Sequence, residues 1–557
     1  MWQIKESLFD KEKIAHYGNQ FLIGHLKLGV RGTLDEFRKS EMASINLPMI
    51  YDQVGEGWRE SVNAMNVLFT RVKVNGKILH VNFSSIVGHE QILDMSCGLM
   101  KRRTVFLEDN IYITIESERF VNQEGSREIY GLYRVSLSDD AHLEIESGID
   151  YDIWDLHGPH LHDFTFSRSP HLAVRGISHE KGYIITASKS IIPDFTCQKE
   201  DIHEQKIFGK RFTIDAKKDY VYTIESYSFI GVNSNTIDDQ NNLENMIYLG
   251  YQKALTHQKD YWSKLWNISD VIIEGNIEAQ RALRYSIYHL LILAPKVNYS
   301  ESIPARGISG QTYKGAIFWD TEIFMLPFYL NTDIMSAKSI IEYRIKGLEG
   351  AKQKAKSYGY QGAFYAWESH EDGYDACTDY NVTDVFTGRP VRTYFRDKQI
   401  HISGDIVYAI ESYISKTNDF AILKKGALEV IFEVARFYID YGHYAPIKDR
   451  FEIHDVLGPD EYHERVHNNA FTNQLIKMVF DSVIKYENYF HDEKSSYFDE
   501  LVNRLNYHKT LIFIKTYRPK LFLQNPTING LIEQFDGYFC LKDITIEDLL
   551  MKRIHPN

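Results

Sequence analysis

DYVYTIESYSFIGVNSNTIDDQ, residues 219–240, is the stretch at which the chain changes its period. Up to Gly231 it is β-rich and partly alternating. From Asn233 onward it is polar, and from Asn241 to Trp266 the sequence suits a helical linker. Working back from that boundary, Ile111, Ile113 and Ile115 alternate with Tyr or polar residues. LYRVSLS (132–138), AHLEIESGID (141–150) and KGYIITAS (181–188) have the same character, with polar or Gly-containing turns between them. Many punctuated strands of this kind predict a large antiparallel β-sandwich. Working forward, Leu283, Ile287, Leu290 and Leu291 lie at helical spacing. So do Ile406, Ala409, Ile410, Tyr413 and Ile414, and then Ala427, Val430, Ile431, Val434, Ala435 and Tyr438. These stripes are core by default. The reading is an α+β multidomain chain: an N-terminal antiparallel β-sandwich over 1–235, a helical linker over 236–272, and a helical domain over 273–557.

A length of 557 residues fits two or three domains. The 44% apolar and 25% charged fractions are ordinary for a globular protein. A formal net charge of −13 without a basic stripe argues against nucleic acid as a partner. A local cationic pocket for phosphate is still compatible with that charge. The start, MWQIKESLFDKEK, has neither the apolar segment nor the cleavage pattern of a signal peptide. No apolar run is long enough to span a bilayer, so no membrane partner is expected. Cys97, Cys197, Cys377 and Cys540 lie far apart and form no CxxC, so neither a zinc site nor a disulfide framework is read from them. The cytoplasm is the expected compartment.

Long aromatic and acidic connections separate the helices, at 295–320, 358–400 and 444–467. Connections of that length inside a compact domain are often functional. The most informative is HDVLGPDEYHERVHNNAFTN (454–473). A carboxyl beside another carboxylate on a walled loop tends to hold its proton to higher pH, and glycosidic cleavage uses such an acid. Glu461, beside Asp460, is the candidate. On these residues alone, a helix start with Asp460 as cap and Glu464 in the first turn is the stronger reading. GISGQTYKGAIFWDTEIF (307–324) sets Trp319 beside Asp320, an aromatic platform with a carboxylate; a helix start with a buried Trp fits it too. GAFYAWESHEDG (362–373) repeats the pattern with Tyr365, Trp367 and Glu368. KQIHISGDI (398–406) puts His401 and Asp405 before a helix, where capping and binding roles are evenly matched.

Together these stretches carry a resemblance. FWDTEIFMLPFYL (318–330), GAFYAWES (362–369), HISGDI (401–406) and GPDEYHERVHNNAFTN (458–473) resemble glycoside hydrolase family 65, the group of maltose, trehalose, kojibiose and nigerose phosphorylases. GNQFLIGHLKLGVRGTLDE (18–36), LDMSCGLMKRR (93–103) and IEQFDGYF (532–539) support it in the same order along nearly the whole chain. The resemblance implies that the helical domain is an (α/α)6 barrel. It implies that Glu461 is the general acid, and that Trp319, Asp320 and Trp367 line the glucosyl subsite. Tyr365, Glu368, His401 and Asn469 are further candidates for substrate binding. The implied reaction is inverting phosphorolysis of an α-glucosyl disaccharide to β-glucose 1-phosphate and a free sugar. Inorganic phosphate is the co-substrate, and no metal or organic cofactor is implied. A homodimer is expected from the family alone.

Two departures qualify the resemblance. The chain stops at RIHPN (553–557), before the last barrel helices and the C-terminal β-sheet domain of family members. That region would carry the phosphate loop, a Lys-Gln pair contacting sugar and an acceptor-selecting loop. On this expectation the barrel is truncated at its C-terminal side and the chain alone is open and weakly active or inactive. EDGYDACTDYNVTDVFTGRP (371–390) also differs from many relatives, which leaves linkage and acceptor unassigned. An inverting hydrolase of the same family and a truncated, non-catalytic glycan-binding relative are the alternatives.

Overall fold

The computed structural model describes residues 1–124, 127–295, 301–310, 312–384, 387–545 and 547–548. The terminal RIHPN, residues 385–386 of the 371–390 segment, and residues 296–300 and 311 of the 295–320 connection therefore lie outside the described residues. The chain forms two compact units. One comprises Met1–Ile317 with Pro327–Ile340, the other Phe318–Leu326 with Ile341–Asn557.

The first unit is built on antiparallel sheets. A nine-stranded sheet runs, edge to edge, Gln3–Glu6, Ile86–Asp94, Leu99–Glu108, Ile111–Val121, Glu128–Leu137, Val221–Val232, Ile184–Pro193, Leu172–Ser178 and Leu161–Ser167. A five-stranded sheet runs Gln198–Glu204, Ile207–Ala216, Ala141–Asp150, Thr70–Val74 and Lys77–Leu79. The alternation read in the sequence is the alternation of faces. Ile111, Ile113 and Ile115 are buried while Tyr112 is 52% exposed. One core cluster takes Ile113, Ile115, Val135 and Ile224 from the larger sheet and Val72, Leu143, Ile145 and Phe212 from the smaller. Burying these branched side chains from both sheets is the main driving force for the sandwich, at about 25 cal/mol per Å².

The helical segment after the sandwich is two helices. Thr236–Leu249 is capped by Asn235, whose side chain accepts from Asp238 N, and ends at Gly250 with φ 76°. A second helix, Tyr251–Ser269, follows directly. Gly250 supplies the backbone conformation that a side chain disfavours, so the chain turns there without strain.

The second unit is helical. His401–Thr417 packs on Ala470–Asp492, which in turn packs on Leu428–Tyr441. The two apolar stripes read for 406–414 and 427–438 are buried throughout. The long connections carry short hairpins, Val382–Thr383 with Pro390–Val391 and His443–Ala445 with Arg450–Glu452. Among the described residues no helix is long and apolar enough to cross a membrane.

Candidate functional site

The second unit gathers four chain segments around one place: 318–325, 364–370, 395–405 and 453–469. The loop 453–469 comes first because it carries Glu461. It is not a helix start. The next helix begins at Ala470, capped by Asn469, whose Oδ1 accepts from Thr472 N at 3.0 Å. Asp460 instead accepts from Tyr462 N at 3.0 Å, closing a local turn. Arg465 and Asn468 have φ of 60° and 51°, left-handed conformations that interrupt any helix. The reading of Asp460 as a helix cap is therefore corrected.

The loop is sewn closed at its neck. Val456 and Val466 exchange both backbone hydrogen bonds, at 3.0 and 2.9 Å. Arg465 grips Asp455 with Nε and Nη2, at 2.8 and 3.2 Å. Lys398 Nζ also reaches Asp455 Oδ2, at 2.8 Å, and Leu457 N donates to Lys398 O at 2.9 Å. The Arg465 contact, then Lys398, holds Asp455 down to about 2. These bonds tie the 453–469 loop to residue 398 and so to its neighbour Gln399.

Gln399 Nε2 donates to Glu461 Oε1 at 2.8 Å. Glu461 is exposed, yet the protein around its carboxyl removes enough water to push its pKa up. The Gln399 hydrogen bond and the nearby His401 oppose that rise, and Asp320 and Glu464 add to it. The adjacent Asp460 is not among those causes. For Asp460, burial alone would raise the pKa, but hydrogen bonds from Gln534 and His463 outweigh it and hold the carboxyl low. The pair of neighbouring carboxyls thus divides into one acid held ionised by its partners and one pushed towards its protonated form.

Trp319 and Asp320 lead into a π-helical turn over Thr321–Met325, so this is a helix start as the sequence allows. Asp320 makes no side-chain cap hydrogen bond there, so the helix-cap reading does not account for it. Burial pushes its pKa up. Trp319 meets His401 edge-on, with ring centres 5.0 Å apart. Behind this segment Arg344 Nε and Nη2 clasp Glu322 at 2.7 and 2.8 Å, and Nη2 also reaches Phe318 O at 3.2 Å. Both charged side chains are fully buried. The clasp fixes the two residues that flank Trp319 and Asp320.

His401 and Asp405, one helical turn apart, pair through Nδ1 and Oδ2 at 2.7 Å, both buried. Asp405 does not cap the helix; the cap position is Ile400, with no side-chain bond. Burial raises Asp405 and the His401 contact opposes the rise. Three buried polar atoms of this one segment have no protein partner among the described residues: Gln399 Oε1, His401 Nε2 and Asp405 Oδ1. Unpartnered buried polar atoms are rare in folded proteins and cluster where a polar ligand completes them.

The remaining sequence candidates sit differently. Trp367 is buried between Phe318 (4.7 Å) and Phe395 (4.6 Å). Tyr365 is buried and donates its hydroxyl to Arg344 O at 2.8 Å, a scaffold contact. Glu368 is buried, and its carbonyl accepts from Ala376 N. Asn469 is committed to its helix, and Asn469→Ala is expected to cost about 1 kcal/mol of stability in chemical denaturation. The structure thus brings together Trp319, Asp320, His401 and Glu461, and it adds Gln399, which the sequence reading did not single out. Among the described residues no group of three or more His, Cys, Asp or Glu side chains is placed to hold a metal ion.

This geometry can be set beside known proteins. Residues 4–265 match the glycosyl hydrolase family 65 N-terminal domain, and residues 284–556 match the family's central catalytic domain. A nigerose phosphorylase of Lachnoclostridium phytofermentans is 41% identical, the match covering 100% of this chain and 77% of that protein. A 1,2-alpha-glucosylglycerol phosphorylase of Bacillus selenitireducens is 34% identical over 98% of this chain and 71% of its own length. The solved structure of a "Putative kojibiose phosphorylase from human microbiome" superposes with a TM-score of 0.85 at 20% identity, covering 99% of this chain and 74% of that one, which establishes a shared fold. The chain belongs to glycosyl hydrolase family 65.

Proposed function

We propose that this chain is a disaccharide phosphorylase that cleaves an α-glucosyl bond with inversion, giving β-glucose 1-phosphate and a free sugar. The reaction is assigned to the domain over 273–557, after the sandwich over 1–235 and the linker over 236–272, and to the cytoplasm. The observation that carries the reading is the environment of Glu461, a carboxyl pushed towards its protonated form at the edge of a cluster of unpartnered buried polar atoms. The family's phosphorylases support it.

Glu461 gives its proton to the bridging oxygen as the C1–O bond breaks, and the bonding electron pair leaves on that oxygen. Inorganic phosphate forms the new bond to C1 from the opposite face. An inverting hydrolase needs a second carboxylate, about 6.5–9.5 Å from the acid, to activate water. Phosphate is already an anionic nucleophile and needs only donors that hold it in line. Trp319 offers an aromatic face to the glucosyl ring. Asp320, His401 and Trp367 complete the glucosyl pocket, with Tyr365, Glu368 and Asn469 supporting it from behind.

Cleavage of α-glucosyl disaccharides should require added inorganic phosphate, and phosphorus NMR should show the β anomer of glucose 1-phosphate. Cleavage without phosphate would move the chain to hydrolysis. Asp320→Asn should raise KM for the glucosyl substrate by about tenfold, the cost of losing one charged hydrogen bond, with the folded state retained. Loss of the folded state in that variant would return Asp320 to a purely structural role.

A further inference from the structure

We propose that Gln399 is the positioning residue of the acid: by donating to Glu461 Oε1 it assigns the transferable proton to Oε2. The proposal rests on the reading of Glu461 as general acid.

Three observations carry it. First, Gln399 is almost completely buried, 1% exposed, and among the described residues its side-chain hydrogen bond goes to Glu461. Its Nε2 is given to Glu461 at 2.8 Å, and its Oε1 has no partner among the described residues. A buried amide is costly unless satisfied, so a glutamine whose one hydrogen bond is to the proposed acid belongs to the site.

Second, the backbone around Gln399 is held with unusual thoroughness. Lys398 binds Asp455 through its side chain and Leu457 through its carbonyl. Tyr438 Oη donates to Ile400 O at 2.9 Å, and Tyr441 Oη donates to Asp455 O at 2.9 Å. These bonds fix both backbone neighbours of Gln399 and tie residue 398 to the loop that carries Glu461.

Third, the bond is directional. A carboxylic acid has one carbonyl-like oxygen and one hydroxyl. An N–H donor at Oε1 makes Oε1 the carbonyl-like atom in the protonated state. Oε2, which has no protein partner among the described residues, carries the proton. When the proton passes to the bridging oxygen, the same N–H meets a developing carboxylate and the bond strengthens. An interaction stronger in the transition state than before it lowers the barrier. The charged or titratable groups that face Glu461 are His401, Asp320 and Glu464; Asp460 is turned towards His463 and Gln534. None of these donates a hydrogen bond to Glu461, so Gln399 is the group whose removal reports on that bond alone.

The test is the ionisation of Glu461 in the full chain, read by carbon-13 NMR of carboxyl-labelled glutamate and assigned by the signal lost in Glu461→Gln. Gln399→Met keeps length and packing but has no donor. Its Glu461 midpoint should move up by about one pH unit, a tenfold weaker acid. Gln399→Leu should move it the same way, so a folding defect in one variant does not decide the matter. Where turnover is measured, Gln399→Met should lower kcat and move the alkaline limb of the pH profile upward with KM changed less than about twofold. The defect should shrink with α-glucosyl fluoride, whose leaving group needs little protonation. An unmoved or lowered midpoint in both variants overturns the proposal. Full turnover in Glu461→Gln would instead remove the general-acid reading on which it rests, so the two failures are separable.

Discussion

Glu461→Gln lowers disaccharide turnover by about 10²–10⁴-fold, the usual contribution of a positioned acid, while the folded state and sugar binding persist. Three features lead to that expectation. Glu461 lies on a loop held shut by the Val456–Val466 pair and the Arg465–Asp455 clasp, so replacing its carboxyl with an amide of the same shape disturbs no core packing. Its carboxyl is the one that burial pushes up, whereas Asp460 is held low by its hydrogen bonds, so Asp460 does not substitute as proton donor. The amide also keeps an oxygen for Gln399 to bond. The sign of the pH dependence follows. The active form is protonated Glu461, so kcat/KM falls as pH rises through a midpoint displaced upward from the ordinary glutamate value. Steady-state rates across pH, with binding measured by calorimetry, check both parts. Turnover within twofold of the parent would remove Glu461 from the mechanism.

The second large effect is on stability. Glu322→Gln leaves the Arg344 guanidinium buried without its counter-charge, and breaking such a pair from one side costs about 3–5 kcal/mol. Arg344 already has one nitrogen, Nη1, without a partner among the described residues, so the bidentate bond to Glu322 and the contact to Phe318 O do most to offset its burial. The same substitution should raise KM, because it frees both ends of the Phe318–Glu322 segment that carries Trp319 and Asp320. Urea denaturation followed by tryptophan fluorescence reads the stability. A shift under about 1 kcal/mol would mean that water or a neighbouring acceptor replaces Glu322.

The sandwich was legible because its period is local. Ile111, Ile113 and Ile115 announce their face within five residues, and the helical stripes over 406–414 and 427–438 do so within three turns. The break at Gly250 was less visible, because a single glycine in a helical pattern is compatible with an unbroken helix. At 460–468 the local signal pointed the wrong way. Asp460 and Glu464 have helix-start spacing, but Asp460 turns its side chain back to Tyr462 N, and the left-handed residues Arg465 and Asn468 postpone the helix to Ala470.

The site was legible in part. Trp319, Asp320, His401 and Glu461 stand out by chemical type beside glycine-rich turns, and the fold brings them together. Gln399 does not stand out; it meets Glu461, 62 residues further along the chain, because Lys398 and Leu457 join the two loops. Arg344 and Glu322 likewise lie in different segments, and no periodicity pairs them. Tyr365 and Asn469 also stand out by residue type. Their residue types fit a sugar site, but the structure commits Tyr365 Oη to a backbone carbonyl and the Asn469 side chain to a helix cap.

The most direct test of the central claim is phosphate release from β-glucose 1-phosphate in the presence of a panel of acceptors, among them glucose and rhamnose. The parent chain would be assayed beside Glu461→Gln. The account predicts release that depends on an acceptor and is lost in Glu461→Gln. No release from the parent chain with any acceptor, together with cleavage of α-glucosyl disaccharides in the absence of phosphate, would contradict it.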